Sequence, residues 1–347
     1  MPILQIRRHG SSATSMMELP IPGYKTESDP PKYQPERDPL PRPANRGWTP
    51  GVSRRNTQYL QSIDFDIMPG TAYAVTLTIP AEAMNRVTPD EFHRWLDRLL
   101  GYLKRRALLH YYWVLEFTAQ GTPHLHCIMW FGDSFERYRR TYIVDDTMVW
   151  RMVIGRWVAL LKADDVAALP QAQDVRCIDG GEGWAAYCAK HASRGVRHYQ
   201  RQLDNMPYDW RAGPGRMWGH DRKLPVADTM LYRLDLHTFH VLRRQLRRWC
   251  ISRARLRKDP DKRRYAIVSA RRMLRCTAPD MSAFKGIMTW IPREIMIQMI
   301  HGITADGRRH ADRLTVMTED QYNAARAQCT TYEQIRQLNL TTKIVRR

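Results

Sequence analysis

Two alternating apolar runs, HYYWVLEFTAQ (110–120) and TPHLHCIMWFG (122–132), follow one another with a single glycine between them. Both are rich in aromatic and aliphatic residues, and little chain separates them. They are therefore expected to fold back as an antiparallel hairpin that turns around Gly121. That pairing constrains what its neighbours can form.

Upstream, TAYAVTLTIP (71–80) alternates in the same manner and is stopped by Pro80. Between this strand and the hairpin lies TPDEFHRWLDRLLGYLKRRALL (88–109). Thr88 suits an N-cap, Pro89 position N1 and Glu91 position N3, a capping box, and Phe92, Trp95, Leu96, Leu99, Leu100 and Leu103 recur at helical spacing. Downstream, DDTMVWRMVIGRWVALLKADD (145–165) is a second amphipathic helix that buries Val149, Met152, Val153, Trp157, Leu160 and Leu161. QDVRCID (173–179) is a short fourth strand, and GEGWAAYCAKHASRG (181–195) opens a third helix. The order β-α-β-β-α-β predicts an α+β fold of the ferredoxin-like (split βαβ) kind, an antiparallel sheet with helices on one face. Its first and third strands are central, so HLHCIMWF should run mid-sheet.

The flanks read differently. Residues 1–65 include ELPIPGYKTESDPPKYQPERDPLPRPANRGWTPG, rich in proline and poor in periodic apolar residues, and are expected to form a disordered tail. After the Gly- and Pro-containing loop GPGRMWGHDRKLPV (213–226), the chain is expected to become helical and basic, with a loosely specified helical appendage over 276–347. The resulting division is a tail at 1–65, a folded domain at 66–230 and a basic helical extension at 231–347.

The formal net charge of +20 favours a polyanionic partner, most often nucleic acid. Residues 231–275 hold fifteen Lys and Arg against three Asp, a concentration that points to DNA contact rather than general solubility. Within it, Arg243, Arg244, Arg247 and Arg248 form a basic helical stripe. Lys104, Arg105 and Arg106 end the first long helix, where they could grip phosphate or complement the helix dipole. Six cysteines without a CxxC pair argue against a zinc knuckle or a disulfide framework. No run approaches a membrane span, so a cytoplasmic location is expected. No G-x-x-x-x-G-K-[ST] loop occurs, so no nucleotide cofactor is expected.

His124 and His126 alternate with Leu125 and Cys127, so both imidazoles face one side of a strand. Glu116 joins them only if the hairpin turn contains an odd number of unpaired residues, for example Ala119–Gly121; a two-residue turn would face it away. In the first case two imidazoles and a carboxylate suit Mg²⁺ or Mn²⁺ with open positions for phosphate oxygens. The alternative is a pair of histidines with no metal. Thr76 and Thr78 on the first strand could touch DNA or simply fill the sheet. Tyr187, Lys190, His191 and Arg194 fall on one face of the third helix. A phenol with pKa of about 10 becomes a nucleophile at neutral pH only with a nearby cation or a polarised phosphate.

YAVTLTIP, EFTAQGTPHLHCIMWF and GWAAYCAKHASRG, in this order, resemble the three motifs of HUH endonucleases of the rolling-circle replication initiator (Rep) type, found in phages and plasmids. The resemblance covers roughly residues 70–226, and makes 66–230 the nicking and joining domain. It implies that His124, His126 and Glu116 hold a divalent metal, Mg²⁺ or Mn²⁺. Tyr187 would attack the scissile phosphate and Lys190 would stabilise or position it, with Arg194 on DNA. Origin DNA, presented as a single strand or hairpin, is then the substrate, with host helicase and polymerase as partners. Many phage members carry a second tyrosine one turn on; here that position is His191, which could assist termination or contact phosphate. A Rep-like transposase, a relaxase or a non-catalytic DNA-binding protein are the competing readings.

Overall fold

The computed structural model describes residues 2–15, 47–178, 198–272, 287–305 and 307–345. The chain opens with a hairpin, β1 (Pro2–Arg7) and β2 (Gly10–Ser15). These residues group with the C-terminal part of the chain, and a second compact unit is formed within residues 37–226.

The unit within 37–226 begins with helix α1 (Pro50–Ser62), capped by the Thr49 hydroxyl, which accepts from the Val52 N–H. Strand β3 (Thr71–Thr78) follows, then α2 (Pro89–Lys104), then the hairpin β4 (Leu108–Phe117) and β5 (Pro123–Phe131). The Thr88–Glu91 capping box that the sequence predicts is present at the start of α2. A small two-stranded hairpin, β6 (Ser134–Arg137) and β7 (Arg140–Ile143), precedes the second amphipathic helix. That helix is built of α3 (Asp146–Trp150), a π-helical turn at Arg151–Gly155, and α4 (Arg156–Lys162). Short strands β8 (Asp174–Cys177) and β9 (Trp218–His220) complete the sheet, in the order β8-β3-β5-β4-β9. The strand carrying His124 and His126 is therefore the middle one of five, flanked by the first and second strands of the motif.

Alternation along the strands divides the sheet into two faces. Leu77, Leu115, Leu125, Cys127 and Met129 lie on one face and are buried. The apolar faces of α2 and α4 are packed by rings in edge-to-face contact: Phe92 with Trp157 and with Trp210, and Phe117 with Trp210. On the opposite face, α1 covers part of β4: Asn56 Oδ1 accepts from the Tyr112 hydroxyl, and the Tyr59 ring lies 3.9 Å from that of His220. Thr76, Thr78, His124 and His126, on this same face, are only partly buried.

The second unit has a six-stranded sheet of order β11-β2-β1-β10-β12-β13, with β10 at Met230–Leu234, β11 at Ile287–Thr289, β12 at Ala311–Thr318 and β13 at Thr342–Val345. Its core joins Leu4 and Ile6 of β1 to Phe239, Leu242 and Leu246 of one helix (Leu236–Arg255) and Met296, Ile300 and Ile303 of another (Arg293–Thr304).

Two expectations are corrected here. Residues 1–65 are not a tail throughout: 2–15 are paired strands and 50–62 a helix with Leu60 fully buried. The Pro-rich segment 16–46 lies outside the described residues. The C-terminal part is not a purely helical extension, because four of its segments are strands of the second sheet. For the strands the reason is the same in both cases. Strand β1 pairs with β10 through Ile3–Arg233 and Leu4–Tyr232, partners more than two hundred residues apart, and local periodicity cannot reveal such a pairing. Among the described residues no helix is long and apolar enough to cross a membrane.

Candidate functional site

The hairpin turn settles which residues share the histidines' face. Phe117 pairs with Pro123, the Thr118 N–H donates to Thr122 O at 2.9 Å, and Ala119–Gly121 are left as a three-residue loop. Gly121 closes it at φ +81°, a left-handed conformation that glycine adopts at little cost. With this odd turn, Glu116 stands directly opposite His124, and Val114 opposite His126. Glu116, His124 and His126 consequently lie side by side on one face of adjacent strands.

Strand β3 supplies the other wall. Thr78 pairs with His124 and Thr76 with His126. The Thr78 hydroxyl is 2.7 Å from His124 Nδ1 and the Thr76 hydroxyl 3.3 Å from His126 Nδ1. In a neutral imidazole protonated at Nδ1, that nitrogen donates to the threonine and Nε2 keeps its lone pair for a ligand. The two threonines thus orient the histidines rather than merely filling the sheet. Gln173 steadies Thr78 in turn: its Oε1 accepts from the Thr78 N–H at 2.8 Å and its amide donates to Thr78 O at 3.2 Å.

Glu116 is fully buried, with one oxygen, Oε2, 3.9 Å from His126 Nε2. Its other oxygen accepts from Arg201 Nε at 2.7 Å, and Arg201 is equally buried. The guanidinium of Arg201 lies 3.9 Å over the Trp48 ring, whose indole N–H donates to Leu115 O at 2.8 Å. Sequence reasoning passed over Arg201 and Trp48. The signal was a lone carboxylate in an apolar strand, since a buried Glu requires a charged or hydrogen-bonding partner.

The rings of His124 and His126 are 4.4 Å apart, nearly perpendicular. Two imidazole nitrogens and one carboxylate oxygen suit a hard or borderline divalent cation. Among the described residues, however, no group of three or more His, Cys, Asp or Glu side chains is closed around a metal position. The donor types fit, and Glu116 is shared with Arg201.

The remaining candidates fall into three groups. Tyr187, Lys190, His191 and Arg194 lie in 179–197, outside the described residues. Lys104, Arg105 and Arg106 end α2, which packs on the face opposite the histidines; Lys104 Nζ sits 4.8 Å over the Tyr111 ring and Arg106 Cζ 3.4 Å over Tyr102. In the second unit Arg244, Arg247 and Arg248 are exposed, but Arg243 is not. It is 8% exposed and folded 5.6 Å over the Phe239 ring, so it belongs to the packing of its helix rather than to an open basic stripe.

Similar proteins share this region. A family model described as Replication-associated protein ORF2/G2P matches residues 72–195, a span that contains the three strands and the histidine pair. The chain is 34% identical over 276 residues to a "Putative replication protein" of Xylella fastidiosa (strain 9a5c), covering 77% of this chain and 89% of that protein. A protein of the same description from Xylella fastidiosa strain Temecula1 is 36% identical over 263 residues, covering 72% and 89%. Replication-associated protein G2P of Pseudomonas phage Pf3 is 31% identical over 264 residues, covering 75% and 87%. No solved structure matches. With relatives at this identity aligned over most of their length, the chain belongs to the HUH-type replication-associated (Rep) protein superfamily.

Proposed function

We propose that the protein is a replication initiator that nicks one strand of origin DNA through Tyr187 and later rejoins the displaced strand. The observation that supports it most is the odd-turn register, which sets Glu116, His124 and His126 on one face of a central hairpin in a Rep-family chain. The five-stranded order, with the motif's strands arranged fourth-first-third-second, reads as a ferredoxin-like platform carrying one added edge strand.

In this reading His124 and His126 would hold Mg²⁺ or Mn²⁺, with Glu116, which Arg201 anchors, as the third residue. When bound, the ion supplies Lewis-acid polarisation of the scissile phosphate. The chain's own residues do the rest. Thr76 and Thr78 orient the imidazoles through their Nδ1 atoms. The Tyr187 oxygen attacks phosphorus, forming one P–O bond as the bond to O3′ breaks, and the phenol's proton is balanced by protonation of the departing O3′. The products are a 5′-phosphotyrosine and a free 3′-OH that can prime a host polymerase. One phosphodiester is exchanged for another, so attack by a later 3′-OH reverses the link and closes the strand. Lys190 stabilises charge on the phosphate, Arg194 contacts DNA, and His191 contacts phosphate or assists release. Strand separation falls to a host helicase, in the cytoplasm of the host cell.

The test uses a supercoiled plasmid carrying the origin, with Mn²⁺. The expected result is a nick and a covalent protein–DNA adduct whose peptide, by mass spectrometry, carries the nucleotide on Tyr187. Tyr187→Phe should abolish nick and adduct together. Binding without either product would identify a non-catalytic DNA-binding protein instead.

A further inference from the structure

The hairpin of β6 and β7 carries a backbone conformation that its residues do not favour. Arg137 pairs with Arg140, leaving Tyr138 and Arg139 as a two-residue turn with φ of 51° and 58°. Two successive positive φ values define a type I′ turn, for which Asn-Gly is the low-strain sequence. The two-residue hairpin demands this conformation, a tyrosine and an arginine in it are strained, and the retention of these side chains in place of Asn-Gly points to a use for them. Both are open to solvent, Tyr138 at 79% exposure, and Arg137 lies against the tyrosine, donating to its hydroxyl at 3.0 Å.

Arg137, next to the tip, lies within electrostatic reach of Arg106 in a cluster of like charges. Arg106 and Arg156 lie at 3.4 Å and 5.1 Å over the one ring of Tyr102, and Arg106 titrates below its ordinary value. Burial is the first cause, and repulsion from Arg137, Arg105 and Arg156 adds to it. Mutually repelling guanidinium groups held together are relieved by an anion with several oxygens. This cradle lies near the far end of β5, where Gly132 N–H donates to Ala107 O, and is carried by α2 and α4, which pack on the face opposite the histidines.

We propose that the β6–β7 hairpin and its arginine cradle form a second DNA site, separate from the histidine face, which holds a duplex arm of the DNA away from the cleaved strand. A two-stranded ribbon with a basic tip fits a duplex groove, and the cradle takes the adjacent phosphates. Single-stranded DNA is the poorer match because Arg137 already occupies one side of the Tyr138 ring. The site extends the nicking reading, but its test does not depend on it.

The decisive variant is Tyr138→Asn with Arg139→Gly, which gives the turn its preferred sequence and removes the tip's chemistry. Binding is measured by fluorescence anisotropy with a 30-base-pair duplex and with a single strand of the same sequence, across a salt series. The variant should melt no lower than wild type and bind the duplex about tenfold more weakly with a shallower salt dependence. Its affinity for the single strand, and its rate of nicking a single-stranded origin oligonucleotide, should be unchanged. Arg137→Gln with Arg140→Gln should act in the same direction. Unchanged duplex affinity and salt slope in both variants would overturn the proposal, as would a loss confined to the single strand. Absence of nicking in the wild-type protein would count against Tyr187 chemistry alone.

Discussion

Arg201 donates to Glu116 at 2.7 Å with neither side chain exposed, so the carboxylate beside His126 is anchored by an ion pair out of reach of water. Breaking such a pair leaves one charge stranded. Arg201→Met should therefore destabilise the unit by about 3–5 kcal/mol, and the double variant with Glu116→Gln should recover part of that loss. Urea unfolding of the two variants checks it; equal stability of Arg201→Met and wild type would mean that the pair holds nothing.

Thr78→Val keeps the shape of the side chain and removes the hydroxyl 2.7 Å from His124 Nδ1. Losing such an orienting partner typically weakens a metal site about 10–100-fold. Calorimetric titration with Mn²⁺ should show that weakening with little change in melting temperature. An unaltered affinity would place the metal elsewhere.

A Cβ added at Gly121 would sit 3.0 Å from Asn205 O and occupy a left-handed conformation. Gly121→Ala is expected to cost about 1–3 kcal/mol. The register of β4 and β5 depends on this turn, so nicking should fall more than stability alone accounts for. Activity measured well below the melting transition separates the two effects.

His93 titrates below its ordinary value, chiefly because it is buried; the hydrogen-bonding contact with Pro214 O opposes the shift. Its folded pKa is depressed, so the unfolded chain binds the proton more readily. The stabilising contribution is present above the unfolded value of about 6.5 and is lost as pH falls from there towards the folded value. Thermal melts between pH 7.5 and 5 should show this acid sensitivity, and His93→Gln should reduce it.

Neutralising Arg244, Arg247 and Arg248 to Gln should weaken non-specific DNA binding and lower the salt slope by about 0.9 for each phosphate left without its cation. Arg243→Gln should instead lower stability, since its guanidinium packs over Phe239. Anisotropy and melting curves on the same proteins distinguish the two classes.

The hairpin, and the shared face of its two histidines, were legible because their determinants are local. Alternation put His124 and His126 on one face, Gly121 suited the odd turn that Glu116 needs to join them, and the Thr88 box started α2 where the spacing required. Arg201, Trp48 and Gln173 were not legible, because each comes from an irregular segment and acts by meeting a strand far away in sequence. Thr76 and Thr78 were visible, but their hydrogen bonds to the histidines depend on the order of β3 and β5, which sequence spacing alone does not fix. The second sheet escaped for the same reason: β1 carries only Ile3, Leu4 and Ile6 as an apolar signal, and its partner β10 lies beyond the whole 37–226 unit.

That last pairing has a consequence for how the molecule is made. Strand β1 is made before the 37–226 unit, and its neighbour, Met230–Leu234, is synthesised after that entire unit. That unit can close its own core while the opening segment waits, and the second sheet is completed only when the closing segments arrive. Deleting the first fifteen residues would therefore remove two of six strands, both of them interior, and leave the late-made half without its template.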